Sequence, residues 1–350
     1  MPCEPFRYHL PAERIAQRPV VPYDRAKLLV LRRENGELFE TCFTDLVPLL
    51  SAADLLVFNN TRVIPARLFG EIAGRKGEVE VFLLSEEKPD LWLCLGRPLK
   101  KFDCGVNVLF KDGLTATVLE KTGKAQLRLA FSSCGPKNIR SLIFAQGRMP
   151  IPPYIRGGKS DESDRLDYQT MFAAIDGSIA CPTAGLHFTP ALVSAVQRHG
   201  CCMEYVTLHV GESSIRPLWR DGQEEAGAEY EQIGSEKYLW DGTLLDRCRE
   251  IKRQNGRVIA VGTTVVRALE SMVREKHGAK CWVETDLCIS PGYEFQVVDA
   301  MVTNFHQPGT SHLLMVEAFI GSRRILADCY QYALEHDFRF LSYGDGMMIV

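Results

Sequence analysis

Two patterns of hydrophobic and polar positions divide the chain. Up to about residue 69, and again beyond residue 150, short apolar runs alternate with stretches in which apolar residues recur every three or four positions. The apolar runs predict strands at residues 27–31, 54–58, 178–181, 203–210, 257–261 and 297–305. The helical spacing predicts helices at residues 190–198, 240–254, 264–276, 312–320 and 325–336. Alternating strands and helices indicate an α/β body with a mixed or parallel sheet.

Between residues 70 and 136 the helical spacing is missing. Five short runs, GEVEVFLL, DLWLCLG, GVNVLF, LTATVLE and AQLRLAF, alternate or are β-branched, and Gly, Asp and Lys turns separate them. This pattern predicts an antiparallel sheet, as a small barrel or a sandwich. We therefore predict a discontinuous α/β domain of residues 1–69 and 151–350, with an inserted β-barrel domain of residues 70–150.

Polar side chains gather where the predicted strands of the α/β body end. In GSIACPTAGLHFTP, an apolar run ends in a loop with Thr183 and His187, and Thr189 then caps a helix that Pro190 begins. Because ligands of α/β proteins bind at the carboxyl ends of strands, we expect six such loops, the last after an apolar run at residues 338–341, to converge on one crevice. The predicted site residues are Asn60, Thr61, Arg62, Arg67, Thr183, His187, His209, Gly262, Thr263, Thr264, Arg267, Asn304, His306, Tyr343 and Asp345.

These residue types limit the chemistry of the crevice. The three histidines can act as general acid or base near neutral pH, and Asp345 is the carboxylate alternative. The helix start at residues 262–264 offers backbone amides to a carboxylate or phosphate, or is a simple threonine cap. The three arginines can clamp anionic groups, or each can pair with a carboxylate of the sheet such as Asp54 or Glu270.

Composition excludes several classes of protein. Apolar residues make up 46% and charged residues 24% of the chain, which is typical of a soluble globular enzyme or binding protein. The sequence contains no run of about 18 apolar residues, which a membrane-spanning helix would need. The N-terminal stretch lacks a secretory signal core, so we expect a cytoplasmic protein. The 12 cysteines include no C-x-x-C pair, which favours reduced thiols over disulfides or a metal site. P-loop, G-x-G-x-x-G and G-x-S-x-G motifs are missing.

The charge is unevenly distributed along the chain. The formal net charge is −3, but residues 70–150 contain 13 Lys and Arg against 9 Asp and Glu, a balance of +4. A basic module on an acidic body is compatible with RNA contact, and Arg97, Lys100 and Lys101 of the stretch GRPLKK are the candidates. A solvated surface with a chance excess of basic residues explains the same balance.

The loops at the predicted strand ends carry the motifs of a known family. FNNTRVIPARLFG, GSIACPTAGLHFTP, TLHVG, RVIAVGTTVVRALES, PGYEFQVVDAMVTNFHQP and FRFLSYGDGMMIV resemble the S-adenosylmethionine:tRNA ribosyltransferase-isomerases of queuosine biosynthesis, as do YHLPAERIAQRP and MPIPPYIR. The resemblance runs from about Tyr8 to Val350 in the order and spacing of the family. It implies a large α/β domain with an inserted β-barrel, which the hydrophobic pattern predicts independently.

The resemblance also implies a reaction. These enzymes transfer and isomerise the ribosyl part of S-adenosylmethionine onto 7-aminomethyl-7-deazaguanine at the tRNA wobble position, leaving epoxyqueuosine, adenine and methionine. S-adenosylmethionine is consumed as a substrate, and no further cofactor is implied. The sulfonium makes the adjacent 5′ carbon acidic, so a base must remove a proton there, and adenine needs a proton as it departs. His187 and His306 are the first candidates, followed by His209 with Glu212 and Ser213 as orienting partners.

Two other function classes stay open. The chain departs from the usual family pattern at residues 213–215, 226–228 and 309–312. It could therefore be another S-adenosylmethionine-dependent tRNA-modifying enzyme, such as a methyltransferase, or a tRNA-binding protein that has lost catalysis. In each case we expect a monomer that binds tRNA and does not contact a membrane.

Overall fold

The computed structural model describes residues 6–122, 126–135, 138–211 and 234–350. In chain order its strands and helices are β1 (Lys27–Arg32), β2 (Glu37–Cys42), β3 (Leu55–Asn59), β4 (Thr61–Val63), β5 (Arg67–Ile72), β6 (Glu78–Lys88), β7 (Leu91–Arg97), β8 (Asn107–Leu109), β9 (Leu114–Lys121), β10 (Gln126–Ser133), α1 (Ile139–Gln146), α2 (Asp164–Asp167), β11 (Ile175–Ser178), α3 (Pro190–Arg198), β12 (Cys202–Val206), β13 (Glu236–Trp240), α4 (Gly242–Arg253), β14 (Val258–Val261), α5 (Thr263–Met272), β15 (Cys281–Thr285), β16 (Ala300–Asn304), α6 (Ser311–Ile320), α7 (Arg323–Glu335) and β17 (Gly346–Ile349).

A seven-stranded mixed sheet forms the centre of the α/β part, in the order β12-β3-β14-β16-β17-β1-β2. The strands β12, β3, β14 and β16 are parallel, whereas β17 is antiparallel to β16 and parallel to β1. Because of this reversal, Gly346 at the start of β17 pairs with Asn304 at the end of β16. The segment before β17 therefore reaches the same edge of the sheet as the loops that follow the parallel strands.

Both faces of this sheet are covered, which explains the unbroken apolar runs of its central strands. In β3, Leu55 and Val57 join one hydrophobic cluster, and Leu56 and Phe58 join another. All four residues are at most 1% exposed. Successive side chains of a strand point to opposite faces, so a strand that is buried on both faces needs an apolar residue at every position.

The basic module is a closed six-stranded barrel in the order β10-β7-β6-β5-β8-β9, with antiparallel pairs throughout. Alternate residues fill its interior, such as Val79 and Val81 of β6 and Leu127 and Leu129 of β10. The alternation that predicted this module is thus the alternation between the barrel core and its surface. Strand β5 begins at Arg67, slightly before the predicted start of the module at residue 70.

The predicted fold class is confirmed, but some element boundaries differ. The strand predicted at residues 178–181 is instead β11, which ends at Ser178, and the helix predicted to reach residue 276 ends at Met272. The last strand is β17 rather than the apolar run before it. Phe338 and Phe340 of that run fill the core outside the named strands, and Phe340 forms an isolated β-bridge with Ile15. Within the described ranges, no helix is long and apolar enough to cross a membrane.

Candidate active site

A cavity of about 120 Å³ lies where β14 and β16 end. Its walls come from the first turn of α5, the loop after β11, the loop between β16 and α6, and the segment before β17. The lining residues are Pro152, Tyr154, Tyr168, Ala180, Cys181, Pro182, Thr183, Ala184, Val210, Gly262, Thr263, Thr264, Thr303, Asn304, Phe305, His306, Gln307, Thr310, His312, Leu341 and Ser342. Of the predicted site residues, the cavity brings together Thr183, Gly262, Thr263, Thr264, Asn304 and His306.

The first turn of α5 presents backbone amides beside the cavity. Gly262 turns the chain from β14 into this helix with a φ of 103°, which residues with a side chain rarely adopt. Its amide donates to the carbonyl of Val302 over 2.7 Å, which ties the turn to β16. Thr263 and Thr264 follow and line the cavity. Because the first amides of a helix have no acceptor within the helix, this turn is suited to binding a carboxylate.

Asn304, the last residue of β16, connects several parts of the site. Its Oδ1 accepts a hydrogen bond of 2.8 Å from the hydroxyl of Thr183, and its Nδ2 donates to the carbonyl of Leu341 over 3.3 Å. The same Nδ2 lies 3.4 Å from Nε2 of His187. His187 is outside the cavity lining, because it is 5% exposed and stacks on Phe43 with 4.2 Å between the ring centroids. Burial lowers the pKa of His187 to about 3, so it is uncharged at neutral pH.

His306 lines the cavity and is anchored through both its backbone and its ring. Its amide donates to the hydroxyl of Tyr330 over 3.0 Å, and its carbonyl accepts a hydrogen bond from the hydroxyl of Tyr8. Its Nε2 lies 2.8 Å from the hydroxyl oxygen of Thr303. Burial, and secondly the neighbouring imidazole of His312, hold the pKa of His306 well below its usual value. A neutral imidazole in this position has a lone pair that can accept a proton.

The cavity contains a second imidazole, that of His312, which the sequence analysis did not assign to the site. His312 lies in the first turn of α6, and its ring centroid is 5.3 Å from that of His306. Burial, and then the positive charge of Arg267, lower its pKa to about 4. Thr303 was also not assigned. The signal that could have found both residues is position, because they flank the loop of His306 at the end of β16 and the start of α6.

His209 belongs to a separate cluster outside the cavity lining. Its Nδ1 lies 2.7 Å from the hydroxyl oxygen of Thr61, and its ring stacks on the exposed Trp282 with 4.8 Å between centroids. Burial, and secondly the charge of Lys237, lower the pKa of His209 to about 4. His209 and Thr61 therefore hold one another in place, while the neighbouring Val210 reaches the cavity.

Some of the predicted features fall on residues that the structure does not describe. Glu212 and Ser213, the predicted partners of His209, lie outside the described residues, as do the departures at residues 213–215 and 226–228. The departure at residues 309–312 is described and borders the cavity. There Thr310 lines the wall and caps α6, since its side chain accepts a hydrogen bond from the amide of Leu313.

The three predicted arginines contact carboxylates of the protein rather than the cavity. The pairs are Arg62 with Asp176 at 3.6 Å, Arg67 with Glu80 at 2.7 Å, and Arg267 with Glu236 at 2.5 Å. Arg267 and Glu236 are both buried, and Arg267 also donates to the carbonyls of Thr285 and Leu287 over 2.9 and 3.0 Å. Pairing with carboxylates was the open alternative in the sequence, although the partners are not Asp54 or Glu270.

Asn60, Tyr343 and Asp345 also lie outside the cavity lining. Asn60 accepts a 2.7 Å hydrogen bond from the Thr207 hydroxyl, Tyr343 donates to Asp164 over 3.1 Å, and Asp345 accepts from the amides of Lys27 and Arg339 over 3.0 and 2.7 Å. Burial raises the pKa of Asp345. In the part of the chain that the structure describes, no group of three or more His, Cys, Asp or Glu side chains could hold a metal ion.

The basic residues predicted to contact RNA lie at the end of β7 and just beyond it. Arg97 and Lys100 are exposed, so both are available to a partner. The ammonium of Lys101 donates to the carbonyls of Lys76 and Gly77, each over 3.0 Å. Lys101 therefore links the segment after β7 to the turn between β5 and β6. The RNA contact of all three residues stays a prediction.

Together, the fold and the cavity define a class of protein. A mixed α/β sheet carries an antiparallel barrel, and the cavity at its carboxyl edge presents two neutral imidazoles beside the amides of a helix start. A family model described as queuosine biosynthesis protein matches residues 3–349. The chain therefore belongs to the queuosine biosynthesis protein family.

Curated relatives are similar to the chain over its whole length. The S-adenosylmethionine:tRNA ribosyltransferase-isomerases of Halothermothrix orenii and Desulfitobacterium hafniense are each 40% identical over 354 residues, covering 100% of both chains. The enzyme of that name from Rhodospirillum rubrum is 39% identical and covers 98% of this chain and 96% of its own length. The crystal structure of an S-adenosylmethionine tRNA ribosyltransferase from Thermotoga maritima is 32% identical, with a TM-score of 0.55 and coverage of 99% of each chain.

Proposed function

We infer that the chain is an S-adenosylmethionine:tRNA ribosyltransferase-isomerase of queuosine biosynthesis. The observation that carries this inference is the full-length agreement with curated enzymes of that name, at up to 40% identity. The chain transfers and isomerises the ribosyl part of S-adenosylmethionine onto 7-aminomethyl-7-deazaguanine at the wobble position of tRNA. The products are epoxyqueuosine-tRNA, adenine and methionine, and S-adenosylmethionine is consumed as a substrate without a further cofactor.

The cavity offers groups for the steps that this reaction needs. His306 is uncharged at neutral pH, so its imidazole can take the acidic proton from the carbon next to the sulfonium. Thr183 and Asn304 already hold one another over 2.8 Å and supply a hydroxyl and an amide to the ribosyl group. Thr263 and Thr264 line the same cavity, and the amides of this helix start suit the carboxylate of the methionine part.

The remaining assignments belong to the same proposal. Residues 1–69 and 151–350 form the catalytic domain, and residues 70–150 form a barrel domain that contributes to tRNA binding through Arg97, Lys100 and Lys101. The protein works as a monomer in the cytoplasm, where its tRNA substrate occurs. The acid–base roles predicted for His187, His209 and Asp345 stay predictions, since these residues lie behind or beside the cavity lining.

Product analysis tests the reaction directly. The chain is incubated with S-adenosylmethionine and a tRNA that carries 7-aminomethyl-7-deazaguanine, and small-molecule products and tRNA nucleosides are separated by chromatography with mass detection. We expect adenine and methionine in equal amounts, together with epoxyqueuosine in the tRNA. S-adenosylhomocysteine with methylated tRNA would identify a methyltransferase instead. Tight tRNA binding without any product would identify a tRNA-binding protein, and either result would refute the proposed reaction.

A further inference from the structure

We propose that His306 and His312 act as one proton-transfer pair, in which His306 takes the proton from the 5′ carbon of S-adenosylmethionine and His312 delivers it to the departing adenine. This inference rests on the proposed function, because it assigns two residues to two steps of that reaction. Both side chains line the cavity, and their ring centroids are 5.3 Å apart. Two imidazoles at this separation can be joined directly or through one water molecule.

The surroundings of His306 suit it to removing a proton. The hydroxyls of Tyr330 and Tyr8 hold its backbone amide and carbonyl, so the residue is fixed at the end of β16. The hydroxyl of Thr303 lies 2.8 Å from Nε2 and orients the ring. When Nε2 donates in that bond, Nδ1 carries the lone pair that accepts the proton. A fixed ring with one defined basic nitrogen is what a general base requires.

The surroundings of His312 suit it to giving a proton away. It lies in the first turn of α6, where the positive end of the helix disfavours an imidazolium ion. The other positive charge that acts on it is the guanidinium of Arg267, from α5. Its ring makes no hydrogen bond with any residue in the described part of the chain, so its nitrogens are available to a ligand. A protonated His312 would therefore release its proton readily to an acceptor in the cavity.

The proton balance of the pair closes within one turnover. The bond between the 5′ carbon and its hydrogen breaks, the electrons stay on the carbon beside the sulfonium, and the proton moves to His306. From His306 the proton passes to His312. The bond between the ribosyl part and adenine then breaks with its electrons on adenine, while the ring oxygen donates an electron pair to the carbon that adenine leaves, and His312 protonates adenine. Both imidazoles are neutral again at the end of the cycle.

The test compares two events in the same reaction: the loss of tritium from the 5′ carbon of S-adenosylmethionine, and the release of adenine. His312→Gln should lower adenine release by about 10²–10⁴-fold. It should lower tritium loss much less, so that the ratio of tritium loss to adenine release rises. His306→Gln should lower both events together, because the first proton is never removed. The matched control is His336→Gln, which should change neither event. His336 is exposed and caps the C-terminus of α7.

The outcomes separate this proposal from the proposed function. A wild-type chain that releases no adenine would refute the function itself. Adenine release by the wild type with an unchanged ratio in His312→Gln would refute the pair alone. The Michaelis constant for S-adenosylmethionine and the melting temperature are measured for each variant, and both should stay near the wild-type values. If His312→Gln unfolds, His312→Asn replaces it, and unfolding of both variants would overturn the proposal by making His312 structural.

Discussion

The buried ion pair between Arg267 and Glu236 allows a quantitative test of what Arg267 does. The two residues are 5% and 3% exposed, and the guanidinium also donates to the carbonyls of Thr285 and Leu287. In Arg267→Met the carboxylate of Glu236 stays buried without this cation, and two carbonyls lose a donor. Removing one partner of a buried pair costs about 3–5 kcal/mol. For a chain of this length, that corresponds to a fall in melting temperature of roughly 4–7 °C.

The assay is urea unfolding followed by circular dichroism, together with steady-state kinetics for S-adenosylmethionine. Arg62→Met is the matched control, because the Arg62 side chain is 48% exposed and lies 3.6 Å from Asp176. Its unfolding free energy should change by no more than about 1 kcal/mol, since exposed ion pairs contribute little. A second variant, with Arg267→Met and Glu236→Gln together, should recover part of the loss. Unchanged stability of Arg267→Met with a raised Michaelis constant would show that Arg267 binds substrate, and would refute this reasoning.

Three further predictions concern catalysis, pH and RNA. Thr303→Val removes the hydroxyl that orients His306, so kcat should fall about tenfold or more while the Michaelis constant for S-adenosylmethionine stays unchanged. A Michaelis constant that rises by the same factor would contradict this role. The buried His187 has a pKa of about 3 in the folded state, against about 6.5 in the unfolded state. As the pH drops, the unfolded state therefore binds the proton first, and the stability of the fold decreases between about pH 6.5 and pH 3. His187→Asn should reduce that slope by up to about 1.4 kcal/mol per pH unit, measured by urea unfolding, and an unchanged slope would show that His187 titrates normally. Changing Lys100 and Lys101 to Ala should weaken tRNA binding and lower the slope of log affinity against log salt concentration by roughly one unit per lost phosphate contact. Unchanged affinity at every salt concentration would show that both lysines are solvated and do not contact tRNA.

The sequence predicted the fold well because strand and helix patterns report burial. The run at residues 55–58 is apolar on both faces because two hydrophobic clusters enclose it. The alternation in β6 follows from a barrel whose strands have one buried face. Burial also explains the apolar run at residues 338–341, which is followed by the last strand, β17, rather than forming a strand itself. Phe338 and Phe340 are buried in the core outside the named strands, and Phe340 forms an isolated β-bridge with Ile15. An apolar run alone does not distinguish a buried strand from a buried loop.

The candidate site was less predictable than the fold, because the side chain of a polar residue at a strand end can point either into the cavity or into the core. Thr183 and Asn304 reach the cavity, but His187, only four residues after Thr183, turns towards the core and stacks on Phe43. A one-turn segment, Thr183–His187, makes this difference, since residues within a tight turn project in different directions. His312 is the opposite case, because it lies in the first turn of a helix, where the helical pattern alone explains its position, and yet it lines the cavity.

Burial connects the chemistry of the cavity with the stability of the fold. His306 and His312 can transfer protons at neutral pH because desolvation keeps their resting imidazoles uncharged. The same desolvation means that each must gain a proton on unfolding once the pH falls below about 6.5, so both destabilise the folded state in acid. With His187 and His209, four histidines contribute in this direction. Acid sensitivity of the folded state is therefore an expected cost of a site that carries its proton-transfer groups in a buried cavity, and it should decrease with each of these histidines that is replaced.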